Sequence, residues 1–354
     1  MKITVIGGGN GGQAIAGFCA SLGFSVCLYN RNLNHVSEIL KECSVKLIGA
    51  IEFEGHIEII TDDIQVAAKF GDIIFVVTTA SAHRDIAEKI CPYLRNGQIV
   101  ILSPGRTFGV LEFDFVLKSR PSLQIYLAEA QTLVYACRMQ KEGGINIIGV
   151  KERVLLAGRS RSETDYIIDK LLPIYSCFVP AKNMLQTSLE NIGAIFHPSV
   201  VIFNAATIER NTPFFFYRDM TPNVASFIKK LDQERLSIGK EFGVDLMPVN
   251  DWIVYAYPAT QGNDLCERMR NNPAYHDILG PGSIFTRQLT EDIPTGLIPM
   301  SELAHIAGVN TPLINSLIDI SSSLLEIDFR KNGRTFKNIG LSHLDKQGIM
   351  NLFV

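Results

Sequence analysis

A glycine-rich turn near the amino terminus is the feature that most restricts the fold of this 354-residue chain. The segment Gly7-Gly8-Gly9-Asn10-Gly11-Gly12 fits the pattern G-x-G-x-x-G, and it lies between a strand-like run, Lys2 to Ile6, and a helix-forming stretch, Gly12 to Leu22. Glycines at this spacing allow a tight turn, close approach of a pyrophosphate to the backbone, and close packing of helix on strand. The amino end of the helix adds amide donors and a positive dipole. The turn therefore predicts a dinucleotide site formed by Gly7, Gly9, Asn10, Gly11 and Gly12 rather than a turn that binds nothing.

The pattern of strands and helices predicts the rest of the architecture. Short β-branched runs alternate with helix-length segments through the first half of the chain, which is typical of a parallel sheet covered on both faces. The runs predicted as strands of this sheet are Lys2 to Ile6, Phe24 to Tyr29, Ile73 to Val77 and Ile99 to Leu102, with Gln124 to Ala128, Ile145 to Gly149 and Val154 to Ala157 as extensions. From about Thr187 long helical patterns replace the strands: Leu189 to Glu209, and Pro222 to Phe242 capped by Thr221. We expect an α/β protein with an N-terminal Rossmann domain, a doubly wound parallel sheet, over 1–182 and a mostly α-helical C-terminal domain over 183–354.

Composition excludes several classes of protein. The 33 Lys and Arg against 36 Asp and Glu give a formal charge of -3, which is not the footprint of a nucleic-acid partner. Apolar runs have strand length and are too short to cross a membrane, and the chain enters its first strand at once, without a secretory signal. The seven scattered cysteines contain no CxxC, so neither a disulfide framework nor a metal site is expected. These features predict a cytoplasmic protein with reduced thiols.

The residues after the second strand bear on the choice of cofactor. NAD enzymes usually place an acidic residue here to accept hydrogen bonds from the ribose hydroxyls. This chain has Asn30, which lacks the charge that would repel a 2′-phosphate, and then Arg31, whose guanidinium can pair with one. NADP(H) is therefore favoured. The alternative is NAD(H) bound through Asn30, with Arg31 a solvated surface residue.

The second half carries motifs that resemble those of the opine dehydrogenase family, which includes octopine and N-(1-carboxyethyl)-norvaline dehydrogenases. The resemblance runs nearly end to end. Its most specific parts are Asn191 to Pro198, which reads N-x-x-A-x-x-H-P, the turn Asn211 to Phe214, the segments Met220 to Pro222 and Asn272 to Tyr275, and Arg287 to Pro299. The block Thr290-Glu291-Asp292 followed by Gly-Leu-Ile-Pro distinguishes this family from other proteins with the glycine turn.

The resemblance implies NAD(P)H-dependent reductive condensation of an α-keto acid with the amino group of an L-amino acid. It assigns His197 as a general acid and base paired with Asp292, and Arg287 as the clamp for a substrate carboxylate. Imidazole suits proton transfer near neutral pH, and guanidinium binds a planar carboxylate through two parallel hydrogen bonds. Glu291 is the rival partner for His197. The amino acid, the keto acid and any homo-oligomeric state stay open.

Two other functions compete with this one. A simple 2-ketoacid reductase of the ketopantoate reductase type would need a catalytic lysine on the first helix of the second domain, but no lysine occurs between Lys182 and Lys229. A catalytically silent NADP(H)-binding regulatory protein would need a missing catalytic group. Two further segments are given structural roles: His83 is expected in a loop, and the run Phe214 to Tyr217 in the core, unless it forms the wall of an apolar side-chain site.

Overall fold

The computed structural model describes residues 1–140 and 143–353, which pack as two compact units. Unit 1 comprises Met1–Gly105 and Gly109–Thr187, and unit 2 comprises Arg106–Phe108 and the chain from Ser188 onward. The three-residue peptide 106–108 thus packs with unit 2 although it lies far earlier in the chain. Within the described ranges no helix has both the length and the apolar character that a bilayer crossing requires.

Unit 1 is built on an eight-stranded sheet of order β12-β11-β8-β7-β6-β1-β2-β5. Neighbouring strands are parallel except for the antiparallel pair β8 and β11. The strands of the sheet are β1 (Lys2–Ile6), β2 (Ser25–Tyr29), β5 (Ile59–Thr61), β6 (Ile73–Val76), β7 (Ile99–Leu102), β8 (Tyr126–Ala130), β11 (Val154–Gly158) and β12 (Phe178–Pro180). The described helices of unit 1 are α1 (Asn10–Ser21), α2 (Ser37–Glu42), α3 (Ile64–Phe70), α4 (His83–Ile90), α5 (Gly109–Leu117) and α6 (Arg161–Leu171).

A smaller sheet corrects one sequence prediction. Ile145 to Gly149 was expected to extend the main sheet, but β10 (Ile145–Val150) belongs to a separate four-stranded sheet of order β4-β3-β10-β9. The other strands of this sheet are β3 (Ser44–Gly49), β4 (Phe53–His56) and β9 (Tyr135–Met139). Periodicity reports that a segment is a strand but not which strand it pairs with, so the pattern was compatible with either sheet.

The predicted loop position of His83 was also wrong. His83 is the first residue of α4 and is fully buried, and its ring lies edge-on to Phe113 with 6.2 Å between ring centroids. The 3₁₀ turn Ala80–Ala82 precedes α4 and continues directly into it, so no loop separates His83 from that turn.

Unit 2 is helical. It contains α7 (Met184–Leu189, shared with the end of unit 1), α8 (Ile192–Phe203), α9 (Ala205–Glu209), α10 (Pro222–Glu241), α11 (Val249–Ala256), α12 (Leu265–Arg270), α13 (Arg287–Thr290), a π-helical turn (Ile293–Leu297), α14 (Ile298–Ala307), α15 (Pro312–Leu325), α16 (Phe329–Asn332) and α17 (Lys346–Asn351). The single helix predicted over Leu189 to Glu209 is divided among α7, α8 and α9, whereas the Thr221 cap and Pro222 start of α10 are as predicted. The apolar side chains of α8 are almost all buried, and α8 packs against α10, α13 and α15.

Candidate active site

The turn between β1 and α1 is shaped by its glycines. Gly7 has a φ of +116°, and a Cβ there would lie 2.5 Å from the carbonyl oxygen of Val77, at the end of the neighbouring strand β6. A Cβ at Gly12 would lie 1.7 Å from the carbonyl oxygen of Gly7, so strand and helix can approach this closely only with glycine at that position. The Cβ position of Gly9 has no heavy atom within 4 Å, which leaves the backbone open to a phosphate. The turn therefore fits a dinucleotide pyrophosphate.

Asn10 and Gly11 attach this turn to its surroundings. Asn10 is the first residue of α1, and its Oδ1 accepts a hydrogen bond of 3.3 Å from the backbone N–H of Met139 in β9. A Cβ at Gly11 would come within 3.1 Å of the Leu133 side chain. The Asn10 hydrogen bond ties the first turn of α1 to β9, and glycine at position 11 leaves room for the Leu133 side chain beside it.

Asn30 and Arg31 follow β2, and they differ in that Asn30 is hydrogen-bonded to the backbone whereas Arg31 is exposed. Asn30 Oδ1 accepts a 3.0 Å hydrogen bond from the backbone N–H of Gly8, and Asn30 Nδ2 donates one of 2.7 Å to the carbonyl oxygen of Asn32. Asn30 thus braces the glycine turn with a neutral side chain. Arg31 is exposed, and no carboxylate among the described residues forms a salt bridge with it. Its guanidinium is available to an anion from solution.

His197 and Asp292 meet in unit 2, although they are 95 positions apart in sequence. The Nδ1 of His197, on α8, lies 2.7 Å from Oδ2 of Asp292, which precedes the π-helical turn. The other ring nitrogen, Nε2, lies 3.1 Å from the hydroxyl of Tyr217. The Asp292 side chain is fully buried and that of His197 is 15% exposed. A buried carboxylate bonded to Nδ1 fixes the ring orientation and leaves Nε2 as the nitrogen that can exchange protons.

The charge on Asp292 is maintained by neighbouring cations. Burial alone would raise the pKa of this carboxyl, but Arg106, followed by His197 and Arg287, outweighs burial and lowers the pKa below its ordinary value of 3.8. Asp292 is therefore a carboxylate at neutral pH. An ionised partner is what stabilises an imidazolium at His197.

Arg287 and Glu291 lie one helical turn apart. Arg287 begins α13, its side chain is 51% exposed, and its Nη1 lies 3.6 Å from Oε2 of Glu291. Glu291, the rival candidate for pairing with His197, is instead directed towards Arg287 and Arg106. Arg287 thus combines a structural ion pair with a guanidinium that still reaches solvent.

Sequence reasoning missed two residues of this cluster. Tyr217 had been placed with the core or an apolar wall, and nothing in the linear pattern indicated its contact with His197 Nε2. Arg106 was not considered at all, yet its Nη1 lies 3.6 Å from Oδ1 of Asp292. The available signal was an arginine in the loop that follows the carboxyl end of the parallel strand β7 (Ile99–Leu102), where functional loops lie in this class of fold.

Two family models and several curated relatives match this chain. Residues 180–325 match the family described as NAD/NADP octopine/nopaline dehydrogenase, alpha-helical domain, and residues 2–106 match NAD-dependent glycerol-3-phosphate dehydrogenase N-terminus. An opine dehydrogenase of Arthrobacter sp. (strain 1C) is 36% identical, with 98% of this chain and 97% of the relative covered. An octopine dehydrogenase of Mizuhopecten yessoensis is 23% identical, with 90% and 88% covered.

Solved structures share the fold. An octopine dehydrogenase in complex with NADH and agmatine superposes with a TM-score of 0.83 at 19% identity, over 99% of this chain and 98% of that one. A yersinopine dehydrogenase with bound NADP+ superposes with a TM-score of 0.72 at 14% identity, over 99% of this chain and 95% of that one.

Proposed function

Since the chain belongs to the opine dehydrogenase family of NAD(P)-dependent oxidoreductases, we propose that it condenses an α-keto acid with the amino group of an L-amino acid and reduces the product to a secondary amine. The observation that carries this proposal is the 2.7 Å contact between His197 Nδ1 and Asp292 Oδ2. It supplies, in the helical unit, the acid–base group that such a reaction needs.

The amino group first adds to the keto carbon, and loss of water gives an imine. This step needs a proton on the departing oxygen, which protonated His197 delivers from Nε2 while Asp292 stabilises the imidazolium. For Nε2 to reach substrate, the Tyr217 hydroxyl must share or give up its 3.1 Å contact with that nitrogen. Reduced nicotinamide, when bound, would supply the hydride to the imine carbon, and a proton on the imine nitrogen completes the secondary amine.

Arg287 is the proposed clamp for the keto-acid carboxylate. Its guanidinium is 51% exposed and has one described acidic partner, Glu291 at 3.6 Å, a separation that leaves donors for an incoming carboxylate. Two parallel hydrogen bonds would orient the keto carbon for hydride attack.

The residues after β2 support NADP(H) over NAD(H). Asn30 is neutral and Arg31 is exposed without a described carboxylate partner, so a 2′-phosphate meets a cation and no opposing charge from these two side chains. The pyrophosphate would lie against the turn that contains Gly7, Gly9 and Gly12, with its closest approach at Gly9, where the backbone is open.

The Arg31→Asp variant tests the cofactor assignment. It introduces a carboxylate that repels a 2′-phosphate and can accept hydrogen bonds from the ribose hydroxyls. We expect the ratio of kcat/KM for NADPH to that for NADH to fall by about tenfold or more, since a lost charge-assisted pair is worth about 1.5–3 kcal/mol. Steady-state rates with each cofactor measure the ratio, and an unchanged ratio would remove Arg31 from this role.

The reaction itself is tested by following oxidation of NADPH and of NADH by purified protein. The reactions contain pyruvate or another α-keto acid, with and without a panel of L-amino acids. We expect oxidation only when both substrates are present, with the secondary amine identified by mass spectrometry. Oxidation with the keto acid alone would contradict the proposal and indicate a simple ketoacid reductase. Tight NADPH binding without turnover on any pair would favour a regulatory protein.

A further inference from the structure

A buried arginine that none of the catalytic assignments uses lies behind the His197–Asp292 pair. We propose that Arg106 is a positioning residue for that pair: its guanidinium holds Asp292 in register with His197 and sets the pH range over which His197 exchanges its proton. This inference rests on the proposed function, in which His197 is the acid and base of the reaction. The charge cluster on which it depends is read directly from the structure.

Arg106 and His197 lie next to different oxygens of the Asp292 carboxylate. Its Nη1 lies 3.6 Å from Asp292 Oδ1, while Asp292 Oδ2 is 2.7 Å from His197 Nδ1. The guanidinium also approaches Glu291, with 3.5 Å between Nε and Oε1, and donates a 3.3 Å hydrogen bond from Nη1 to Asn191 Oδ1. Its side chain is only 13% exposed. The two ion pairs exceed hydrogen-bond length, so Arg106 acts on the carboxylates mainly through its charge in a poorly solvated place.

The backbone holds this guanidinium in place. Arg106 has a φ of +59°, in the left-handed region that non-glycine residues rarely adopt. The next two residues are tied to Ser188: the Thr107 hydroxyl donates to its carbonyl oxygen at 2.9 Å, and the Phe108 N–H donates to its hydroxyl at 3.0 Å. Arg334 donates to the carbonyl oxygen of Thr107 at 2.7 Å. An unusual conformation fixed by several bonds is typical of a functional side chain that must be held in one position.

Gly193 shows how tightly the cluster packs. A Cβ on Gly193 would lie 2.6 Å from Arg106 Nη1, 3.2 Å from His197 Cε1 and 3.4 Å from Asp292 Oδ1. The first two values place the guanidinium nitrogen and the imidazole carbon no more than about 6 Å apart, where a unit charge still acts strongly in a partly buried site. The missing side chain on α8 therefore makes room for the arginine beside the histidine.

The balance of charge gives the direction of the effect. The groups around the histidine are the carboxylates Asp292 and Glu291, the guanidinium groups of Arg106 and Arg287, and the Tyr217 hydroxyl. Two carboxylates without a neighbouring cation would leave this part of the helical unit with an excess of buried negative charge. Arg106 offsets part of this negative charge, and it is also the largest of the cationic influences that lower the pKa of Asp292. Removal of Arg106 must therefore raise the proton affinity of the whole coupled cluster.

Proton titration of His197 tests the inference without requiring turnover. The chain has seven histidines, so protein labelled with [13Cε1]histidine gives few ring signals, and that of His197 is identified by its loss in His197→Gln. We expect Arg106→Gln to move this titration to higher pH by at least about one unit, whereas Arg106→Lys, which keeps the charge, stays close to the wild type. Glu291→Gln removes a negative charge from the same cluster and should move the titration to lower pH.

Arg330→Gln is the matched control. It removes the same charge from an arginine that is 45% exposed and pairs with Asp319, so it tests whether a change in net charge alone is sufficient. The titration of His197 should not move in this variant. A structural role for Arg106 would instead lower stability in both Arg106→Lys and Arg106→Gln and leave the titration where it was.

Kinetics give the second measurement. In the reductive direction, the high-pH limb of the profile of kcat/KM against pH should shift to higher pH in Arg106→Gln, together with the His197 titration. The value of kcat at neutral pH should fall about tenfold, because the acid is weaker. An unmoved titration in Arg106→Gln, or equal movement in Arg106→Lys, would overturn the inference. A raised KM with an unmoved profile would also do so, since it would make Arg106 a substrate contact. Failure of the two-substrate assay in wild-type protein would overturn the proposed function but leave the titration experiment readable.

Discussion

His197 uses its two ring nitrogens for different purposes. Nδ1 is bonded to a buried carboxylate and Nε2 to a tyrosine hydroxyl, so only the second contact can be exchanged for one to substrate. The histidine itself could be predicted from the resemblance of the segment Asn191 to Pro198 to a family motif. The tyrosine could not, because an aromatic run such as Phe214 to Tyr217 looks the same whether its last hydroxyl meets a backbone carbonyl or an imidazole.

Replacement of His197 should separate chemistry from cofactor binding. His197→Ala removes the proposed acid and base, and we expect kcat to fall by about 10²- to 10⁴-fold while the Kd for NADPH, which depends on the glycine turn of unit 1, stays unchanged. Stopped-flow kinetics and fluorescence titration with NADPH measure the two quantities. His276→Ala is the control, since this histidine is 50% exposed and pairs with Asp277. Wild-type kcat in His197→Ala would mean that another residue transfers the proton.

Arg287→Ala should weaken use of the keto acid. Loss of a bidentate carboxylate partner raises KM for the keto acid by about tenfold or more, with a smaller effect on KM for the amino acid. Arg287→Lys keeps the charge but lacks the planar guanidinium, so its KM for the keto acid should lie between those of the wild type and of Arg287→Ala. Steady-state kinetics with each substrate varied in turn provide the test, and unchanged kcat and KM for the keto acid would exclude the clamp role.

At the scale of the element, the strand–turn–helix of unit 1 and helix α8 of unit 2 differ in how far local sequence determines them. A side chain at Gly7 or Gly12 would collide with nearby backbone atoms, so the turn requires glycine at these positions. The spacing of these glycines in the sequence therefore predicts the turn. Helix α8 contains Pro198 in its interior and is mostly apolar. Proline removes a helical hydrogen bond, and the helix is maintained by burial against α10, α13 and α15. The helix continues through Pro198, and the predicted single helix is interrupted instead at Asn191 and at Asn204, which flank α8.

Two glycine variants of the turn should have different effects. Gly9→Ala places a methyl group where no atom lies within 4 Å, so the melting temperature should stay near that of the wild type while the methyl group obstructs the phosphate and raises the Kd for NADPH about tenfold. Gly12→Ala forces a Cβ to within 1.7 Å of the Gly7 carbonyl oxygen and should both abolish NADPH binding and lower stability by about 1–3 kcal/mol. Thermal unfolding and NADPH titration report both effects, and equal stability of the two variants would contradict the packing argument.

At the scale of the whole molecule, buried charge is a recurring feature of the helical unit. Arg235 is fully buried, 2.7 Å from Asp232 and 3.4 Å from Glu190, and Arg106 stands between Glu291 and Asp292. Removing one member of such a group leaves an uncompensated buried charge, which costs about 3–5 kcal/mol. Stability should therefore depend on pH through Asp292, whose pKa is lowered by neighbouring cations in spite of its burial.

Asp292 allows the sign of that dependence to be stated. Its pKa in the folded protein lies below the ordinary 3.8, so its contribution to the free energy of unfolding is fully present above about pH 4 and is lost as pH falls through the lower, folded value. Asp292→Asn cannot titrate, and its free energy of unfolding should decline less steeply than that of the wild type below about pH 4. Urea unfolding followed by circular dichroism from neutral to acidic pH measures the slope. Asp85→Asn, which alters an exposed pair with Lys89, is the control, and identical slopes for wild type and Asp292→Asn would contradict the assignment.

The sequence by itself determined the parts of this protein that depend on local chemistry. The glycine turn, the parallel strands around it and the helical second half could be predicted, because turn geometry and hydrophobic periodicity act over a few residues. His197, Asp292 and Arg287 entered as candidates through the resemblance to a family. The division into a sheet unit and a helical unit followed from the change in periodicity.

Tertiary structure decided which of these residues meet. It paired His197 with Asp292 rather than Glu291, turned Asn30 back onto the glycine turn, placed β10 in a second sheet, and brought the peptide Arg106–Phe108 into the helical unit. Such contacts depend on packing between segments far apart in the chain, and on charges whose effect changes with burial. A linear pattern carries the identity of Arg106 but not the two carboxylates beside it, so its place in the site could only be read from the folded molecule.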